Sequence, residues 1–379
     1  MEIYDVIIVG AGIAGCGLAY NLKRMGYDGN ILIIDKEEVG ANAAYGYRNT
    51  CEKIAKEYNL PYEHVYKGIK IGTEDKTHFI LNRKFYFIDY KKACRMLLKN
   101  SNFEYKKEKA VRINKSILET DKNQYFFKIL VDCSGSDFFG KRQLKQKLPF
   151  RYWVGKTTVL KNILKDKDYF YYQINDSGFI EDLYPLKNKT LQGKWMYSEK
   201  NDLNSIIPEK NTIFGEKINN PILKKDYCVI YPATPVLPLV HKNIAFLGDS
   251  FGNPVTTSGC GIKVILDSSK ILAKSIKKDD LKSYEKIWRK KYLDIFIRYL
   301  SLKYYTFHKL KFFKNLKKTV SWKELAFQFE KYPELFNIMF DGEENFKLPT
   351  GMKKAFSKSS KIFMIMYFSY LKLKYFLMS

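Results

Sequence analysis

The chain has 379 residues, enough for two or three domains. Its hydrophobic fraction of 46% and aromatic fraction of 16% exclude an intrinsically disordered chain. Lys and Arg number 66 against 40 Asp and Glu, a formal net charge of +26. Six cysteines without a C-x-x-C pair and four unclustered histidines exclude the usual zinc spacings and a disulfide scaffold. We therefore expect no metal site and a reducing, cytoplasmic location.

The first elements predict a β–α–β unit. Residues 2–9 (EIYDVIIV) form a β-branched run typical of a buried strand, with no basic segment of a signal peptide before it. A helix is predicted over Gly12–Met25, and a second strand over Asn30–Ile34 ends at Asp35. No window reaches the roughly 18 apolar residues that span a bilayer. We expect a protein that is soluble or lies on a membrane surface.

Further along the chain, two strands are each followed by a glycine-containing turn. They are predicted over Phe127–Val131 and Asn243–Leu247, and a helix is predicted over residues 261–276. Between them, residues 150–231 alternate aromatic and polar side chains, which is typical of an antiparallel sheet. From Leu281 onward the apolar residues recur at helical spacing.

The turn after the first strand carries the pattern G-x-G-x-x-G. Such a turn gives a tight bend, a close approach of the backbone to a pyrophosphate and close packing of helix on strand, and the helix N-terminus favours the phosphate charge. An acidic residue at the end of the second strand suits a ribose diol. The dinucleotide-binding residues predicted here are Gly10, Gly12, Ile13, Ala14, Gly15, Asp35 and Lys36.

Two distant segments resemble FAD motifs of the glutathione-reductase-like flavoproteins. Residues 132–135 (DCSG) resemble a D-x-S-G turn, and residues 247–262 resemble the second FAD fingerprint, in which the aspartate accepts from ribityl hydroxyls. The resemblance implies FAD as the cofactor and a helix N-terminus at the flavin pyrimidine edge. It adds the following cofactor-binding residues: Asp132, Gly135, Gly248, Asp249, Pro254, Gly259, Gly261 and Ile262.

The order of these motifs resembles the geranylgeranyl reductase family, within the p-hydroxybenzoate-hydroxylase-like flavoproteins. The resemblance implies an α/β (α+β) fold, a Rossmann-type FAD-binding domain with an inserted antiparallel β-sheet substrate domain and a helical C-terminal region. The predicted divisions are residues 1–149 and 236–280 for the two parts of the FAD-binding domain, 150–235 for the substrate domain and 281–379 for the basic helical region.

The sequence departs from this family at three places. Residues 178–185 (GFIEDLYP) occupy the aromatic substrate motif, with Glu181 or Asp182 at its tryptophan position and one extra residue. Residues 41–48 replace a P-x-R-C-like segment, so that Cys51 is displaced. The arginine expected before the helix near residue 90 is missing.

The resemblance implies that reduced FAD saturates C=C bonds of a prenyl lipid, as in archaeal membrane lipid biosynthesis. Glu181 and Asp182 are the candidate catalytic residues, because a carboxyl whose pKa is raised by burial can donate a proton. A monooxygenase, a halogenase, a lycopene-cyclase-like enzyme and a non-catalytic flavin-binding protein remain alternatives. No second G-x-G-x-x-G is visible, so the electron donor, ferredoxin or NAD(P)H, stays open.

Half of the positive excess lies at the C-terminal end. Residues 281–379 contain 21 Lys and Arg against 8 Asp and Glu. Lysines interleaved with aromatic residues fit a peripheral position on the anionic inner face of the cytoplasmic membrane, and a solvated basic surface is the alternative. Nucleic acid is disfavoured as a partner because no recognisable nucleic-acid module is present.

Overall fold

The structure is a computed structural model. It describes residues 2–41, 48–72, 77–149, 152–161, 164, 166–174, 180–198, 212–213, 216–217, 222–232, 235–252, 261–293, 297, 369–370 and 373. The strands of this part of the chain are β1 Glu2–Val9, β2 Ile31–Asp35, β3 Asn49–Cys51, β4 Tyr62–Gly72, β5 Thr77–Ile88, β6 Glu104–Lys107, β7 Ala110–Asn114, β8 Ile117–Thr120, β9 Gln124–Asp132, β10 Tyr152–Lys161, β11 Tyr169–Ile174, β12 Ile180–Pro185, β13 Lys189–Ser198, β14 Thr212–Ile213, β15 Glu216–Lys217, β16 Ile222–Pro232, β17 Val240–His241 and β18 Ile244–Phe246.

Helices connect and cover these strands. They are α1 Ile13–Arg24, α2 Glu52–Glu57, α3 Tyr90–Ser101, α4 Phe139–Gln143, α5 Ile262–Lys277 and α6 Leu281–Trp288, and a π-helical turn Arg289–Leu293 follows α6. The starts of α3 and α6 are capped by aspartates, since Asp89 accepts from the Lys92 N–H and Asp280 accepts from the Ser283 N–H. No helix in the described ranges is long and apolar enough to cross a bilayer.

The first sheet has a parallel centre in the order β18-β9-β1-β2-β6. The central strands are buried on both faces, as the continuous apolar run of residues 6–9 requires. Helix α1 packs against α3 and α5. The carboxyl ends of β1, β2, β9 and β18 meet at one edge of the sheet, and the predicted motifs all follow these ends.

The second sheet is ordered β16-β10-β13-β12-β11-β4-β5-β3. It differs from the antiparallel sheet expected within residues 150–235 in two ways. Strands β3, β4 and β5 come from earlier in the chain, and β11 pairs with β4 in parallel. Apart from that pair, neighbouring strands of this sheet are antiparallel. The predicted α/β fold class is confirmed. Of the predicted basic helical region, residues 281–379, the structure describes α6 and the π-helical turn up to Leu293, and most of residues 294–379 lie outside the described residues.

Candidate functional site

The glycine turn after β1 lies against the turn after β9. Gly10 has a φ of +114°, and a Cβ on it would collide with the carbonyl of Cys133. A Cβ on Gly15 would collide with the carbonyl of Gly10. Helix α1 therefore begins directly beside the end of β1, as a phosphate-binding turn requires.

Asp35 joins the end of β2 to this turn. Its Oδ2 accepts from the Ala11 N–H at 2.6 Å and its Oδ1 accepts from the Glu37 N–H at 2.9 Å. Each carboxylate oxygen keeps a further lone pair for a ribose hydroxyl. Lys36 pairs with Asp137 at 2.6 Å at the protein surface, which ties the end of β2 to the turn after β9.

Asp132 holds its own turn in place. Its side chain is fully buried and accepts from the backbone N–H groups of Ser134 at 2.9 Å and Gly140 at 2.8 Å. Burial raises the pKa of this carboxyl against the lowering effect of those hydrogen bonds. The structure thus uses Asp132 to shape the turn. In contrast, a Cβ on Gly135 would meet no atom within 4 Å, so this glycine borders open space.

The turn after β18 brings a carboxyl to the start of α1. A Cβ on Gly248 would lie only 2.8 Å from Cβ of Ala14, so this glycine sets the distance between the two segments. Asp249, the next residue, has no hydrogen-bond donor among the described residues. Burial raises the pKa of its carboxyl to about 7. Its charge in turn contributes to raising the pKa of Tyr90, so the two side chains are close enough to interact electrostatically.

Helix α5 begins near this turn. Gly261 is its N-cap residue and the buried Ile262 is its first residue, with no acidic side chain in the first turn. The positive end of the helix dipole is therefore not neutralised locally. Pro254 and Gly259, the other predicted residues of this segment, lie outside the described residues.

Asp182 lies on a face of the second sheet that we call the aromatic face. Its members are Phe87, Phe170, Asp182, Tyr184 and Trp195. The rings of Phe170 and Tyr184 stack with centroids 5.3 Å apart, and those of Phe87 and Tyr184 are 5.1 Å apart. Asp182 is 0% exposed and accepts from Trp195 Nε1 and from the Tyr184 hydroxyl, each at 3.2 Å. Burial dominates these hydrogen bonds and raises the pKa of Asp182 to about 7.

Glu181 lies on the opposite face of the same strand. Side chains alternate along a strand, so adjacent residues of β12 cannot both point to the aromatic face. Glu181 accepts a hydrogen bond from Nε2 of Gln192, and its register partners are Gln173 and Lys194. The structure therefore does not bring the two candidate acids together.

Comparison with known proteins assigns the cofactor. Residues 5–50 match the family described as FAD dependent oxidoreductase. No curated protein matches the chain. The match covers the β–α–β unit with the glycine turn and Asp35.

Solved structures that share the fold of this chain include a flavin-dependent enzyme. A geranylgeranyl bacteriochlorophyll reductase-like protein from Thermoplasma acidophilum is 16% identical with a TM-score of 0.68, over 94% of this chain and 96% of that one. The flavin-dependent brominase Bmp2 is 14% identical with a TM-score of 0.70, over 98% and 100%. The tetracycline destructase Tet(51) is 12% identical with a TM-score of 0.63, over 92% and 100%. The cofactor is FAD. At these identities the structural matches show the fold of an FAD-dependent oxidoreductase and leave its substrate open.

The residues at the sheet edge fit FAD. The start of α1 offers the Ala14 N–H, which has no acceptor among the described residues, to the pyrophosphate. Asp35 would accept from the adenosine ribose. The carboxyl of Asp249 has no donor among the described residues, and it would accept from the ribityl hydroxyls of FAD. Gly261 and Ile262 begin the helix whose positive end suits the reduced flavin.

Sequence reasoning missed three side chains of these sites. Tyr184 and Trp195 bind Asp182, and Tyr90 contacts the start of α1. Tyr184 was accessible to prediction, because residues two apart in a strand share a face. Trp195 and Tyr90 carried no such signal, since their contacts depend on strand register and on the packing of α3 against α1.

Proposed function

We propose that this protein is an FAD-dependent reductase that saturates C=C bonds of a prenyl lipid of the geranylgeranyl type. The observation that carries the proposal is Asp182, a carboxyl with a pKa of about 7 on an otherwise apolar, aromatic face. Saturating an isolated alkene needs a proton source in a dry, apolar surrounding. The likeness to the Thermoplasma acidophilum reductase-like protein, over nearly the whole of both chains, supports the same substrate class.

In this proposed reaction, the cofactor supplies the hydride and the protein supplies the proton. Reduced FAD, when bound, supplies a hydride equivalent to one alkene carbon. Asp182 gives its proton to the other carbon, so that the C=C bond becomes a CH–CH bond and the carboxylate is left ionised. Trp195 and Tyr184 hold the carboxylate through their two hydrogen bonds until it regains a proton from water.

The aromatic face explains the proposed selectivity for an isoprenoid chain. Phe87, Phe170 and Tyr184 offer an apolar surface and exclude water from Asp182. Asp182 has no exposed surface in this structure. The prenyl chain must therefore open the packing over this face to reach the carboxyl, and the site closes again when product leaves.

Mass spectrometry of prenyl lipids tests the proposal. Purified, FAD-loaded protein is reduced chemically under anaerobic conditions and given a geranylgeranyl lipid, so that the natural electron donor does not matter. We expect products that gain two hydrogens per reduced bond. Asp182→Asn should lose turnover while keeping the FAD spectrum, whereas Glu181→Gln should keep it because Glu181 lies on the other face. Unchanged turnover in Asp182→Asn would remove Asp182 as the donor, and no reduced product with the parent protein would overturn the function.

A second candidate is an oxygen-dependent flavoenzyme, a halogenase or monooxygenase. The match to Bmp2, which covers 98% of this chain and all of that one, favours it. The same lipid and a panel of aromatic compounds, incubated with reduced protein, oxygen and bromide, distinguish the two. A gain of oxygen or bromine indicates the second candidate, and a gain of hydrogen in the anaerobic reaction indicates the first.

The proposal includes docking at an anionic membrane surface. Residues 281–379 carry 21 Lys and Arg against 8 Asp and Glu, and a prenyl lipid substrate resides in a bilayer. Sedimentation with vesicles tests it. We expect binding to vesicles containing anionic lipid that weakens with salt and no binding to neutral vesicles; equal binding to both would contradict docking through charge.

A further inference from the structure

A tyrosine hydroxyl lies at the start of α1, where the FAD pyrophosphate binds. Tyr90 is the first residue of α3, held in place by the Asp89 cap, and α3 packs against α1. Its hydroxyl oxygen accepts a hydrogen bond from the Ile13 N–H at 3.1 Å. A Cβ on Gly12 would lie 3.0 Å from the same oxygen. The second glycine of the turn therefore leaves room for the tyrosine as well as for a phosphate.

The hydroxyl has a proton to donate. No oxygen of the described residues accepts it. The Cys94 thiol, one turn further along α3, hydrogen-bonds with Tyr90, and sulfur is a weak acceptor that a phosphate oxygen would replace. Burial raises the pKa of Tyr90 well above its ordinary value, with Cys94, Asp249 and Cys16 adding to the effect. The phenol therefore stays protonated, and a neutral donor avoids the repulsion that a phenolate would exert on a phosphate.

The backbone of α1 also offers a donor beside Ile13. Ile13 N–H is bound to Tyr90, and the next N–H of α1, that of Ala14, has no acceptor among the described residues. The Tyr90 hydroxyl and the Ala14 N–H therefore both lie at the start of α1, where the N–H groups of a helix favour a phosphate. Two donors and a helix dipole suit an anionic phosphate oxygen better than the dipole alone.

We propose that the Tyr90 hydroxyl is a ligand of the FAD pyrophosphate, accepting from Ile13 N–H and donating its proton to a phosphate oxygen. The hydroxyl acts as a positioning group for the cofactor. A hydrogen bond to a charged group contributes more than one between neutral groups, so its removal should be measurable in cofactor affinity. The proposal concerns the FAD site alone and is independent of which substrate is reduced.

Titration of apoprotein with FAD tests the proposal. We expect Tyr90→Phe to raise the Kd for FAD by about 10-fold or more. Tyr4→Phe is the matched control, because the Tyr4 hydroxyl donates to Glu104 at 2.8 Å near the amino end of β1, whereas the glycine turn follows the carboxyl end of that strand. Its Kd should stay within about two-fold of the parent value. A Kd for Tyr90→Phe as close to the parent as that of the control would overturn the proposal.

Phosphorus NMR distinguishes a direct contact from a loss of local structure. Saturated with FAD, Tyr90→Phe should shift a pyrophosphate resonance relative to the parent, while Tyr4→Phe should not. The melting temperature of the apoprotein is measured in parallel, because Tyr90 also binds Ile13 in the absence of FAD. A weaker Kd with unchanged phosphorus resonances would assign Tyr90 a structural role and overturn the proposed contact.

Discussion

The indole Nε1 of Trp195 donates to Oδ1 of Asp182 at 3.2 Å, and two glycines make this contact possible. A Cβ on Gly193 would collide with the Asp182 carboxylate, and a Cβ on Gly155 would collide with the Trp195 ring. The indole therefore lies flat over β10 and β13 and reaches the acid on β12. An apolar face is thereby supplied with one oriented carboxyl.

The buried acid makes stability depend on pH. The pKa of Asp182 is raised from 3.8 to about 7 in the folded protein, so the folded state binds its proton more tightly than the unfolded state. Stability from this group is present below about pH 4 and is lost as pH rises towards 7. Asp182→Asn has no charge to bury. We expect its free energy of unfolding, relative to the parent, to rise between pH 4 and 7 by up to about 4 kcal/mol.

Denaturant unfolding of both proteins across this range measures the effect. The comparison is made as a difference, since Asp249 titrates in the same direction in both proteins. A difference that stays constant from pH 4 to 7 would show that Asp182 does not carry the raised pKa.

The bond between Trp195 and Asp182 has its own measurable consequence. Trp195→Phe keeps most of the ring but removes the indole donor, and leaves the acid with the Tyr184 hydroxyl and the backbone N–H of Gly193. We expect a loss of about 1–3 kcal/mol in stability at pH 8, where the carboxyl is ionised. The loss should be smaller in an Asp182→Leu background, because the indole N–H then has no carboxylate to which it can donate. Equal losses in both backgrounds would show that ring packing, and not the hydrogen bond, is responsible.

A buried hydroxyl lies in the same row of the sheet as Asp182. Thr157 pairs in register with Gly193, and its buried Oγ1 has no hydrogen-bond partner within the part of the chain that the structure describes. Thr157→Val removes this hydroxyl without changing the shape, and we expect it to raise the free energy of unfolding by about 1 kcal/mol. The matched control is Thr120→Val, which should lose stability because the Thr120 hydroxyl donates to Glu108 at 2.6 Å. Thermal unfolding of both variants measures these changes in stability. A destabilised Thr157→Val would contradict the expected gain.

The sequence predicted the nucleotide-binding half of the fold because its signals are local. The apolar run of β1, the glycine turn and the acid at the end of β2 lie within one β–α–β unit, and each follows from short-range rules. Strand ends that carry a motif, such as those at Asp132 and Gly248, were also placed correctly, since parallel strands bring such ends to one edge.

The second sheet and the site contacts were harder to predict because they are non-local. The parallel pairing of β11 with β4 joins residues about 100 positions apart, and no pattern within either strand predicts which strand is its neighbour. Likewise, Tyr90 reaches Ile13 only through the packing of two helices. The sequence could have predicted that Glu181 and Asp182 lie on opposite faces of the sheet, because the side chains of adjacent residues in a strand alternate between the two faces.

We predict that Asp249 links FAD binding to proton release. Burial raises the pKa of its carboxyl to about 7, and the described residues supply no hydrogen-bond donor to it. A ribityl hydroxyl that donates to the carboxylate would stabilise the ionised form, lower this pKa on binding and release a proton. We therefore expect FAD affinity to rise with pH between about 5 and 7, with a slope of up to about one decade per pH unit, and to level off above pH 7. FAD itself does not titrate in this range.

Asp249→Asn should bind FAD more weakly, and its affinity should show no such dependence on pH. Calorimetric titrations in buffers of different ionisation enthalpy count the proton directly. A slope that persists in Asp249→Asn would assign the proton to another group, and affinity that falls with rising pH would mean that the carboxyl is protonated in the complex.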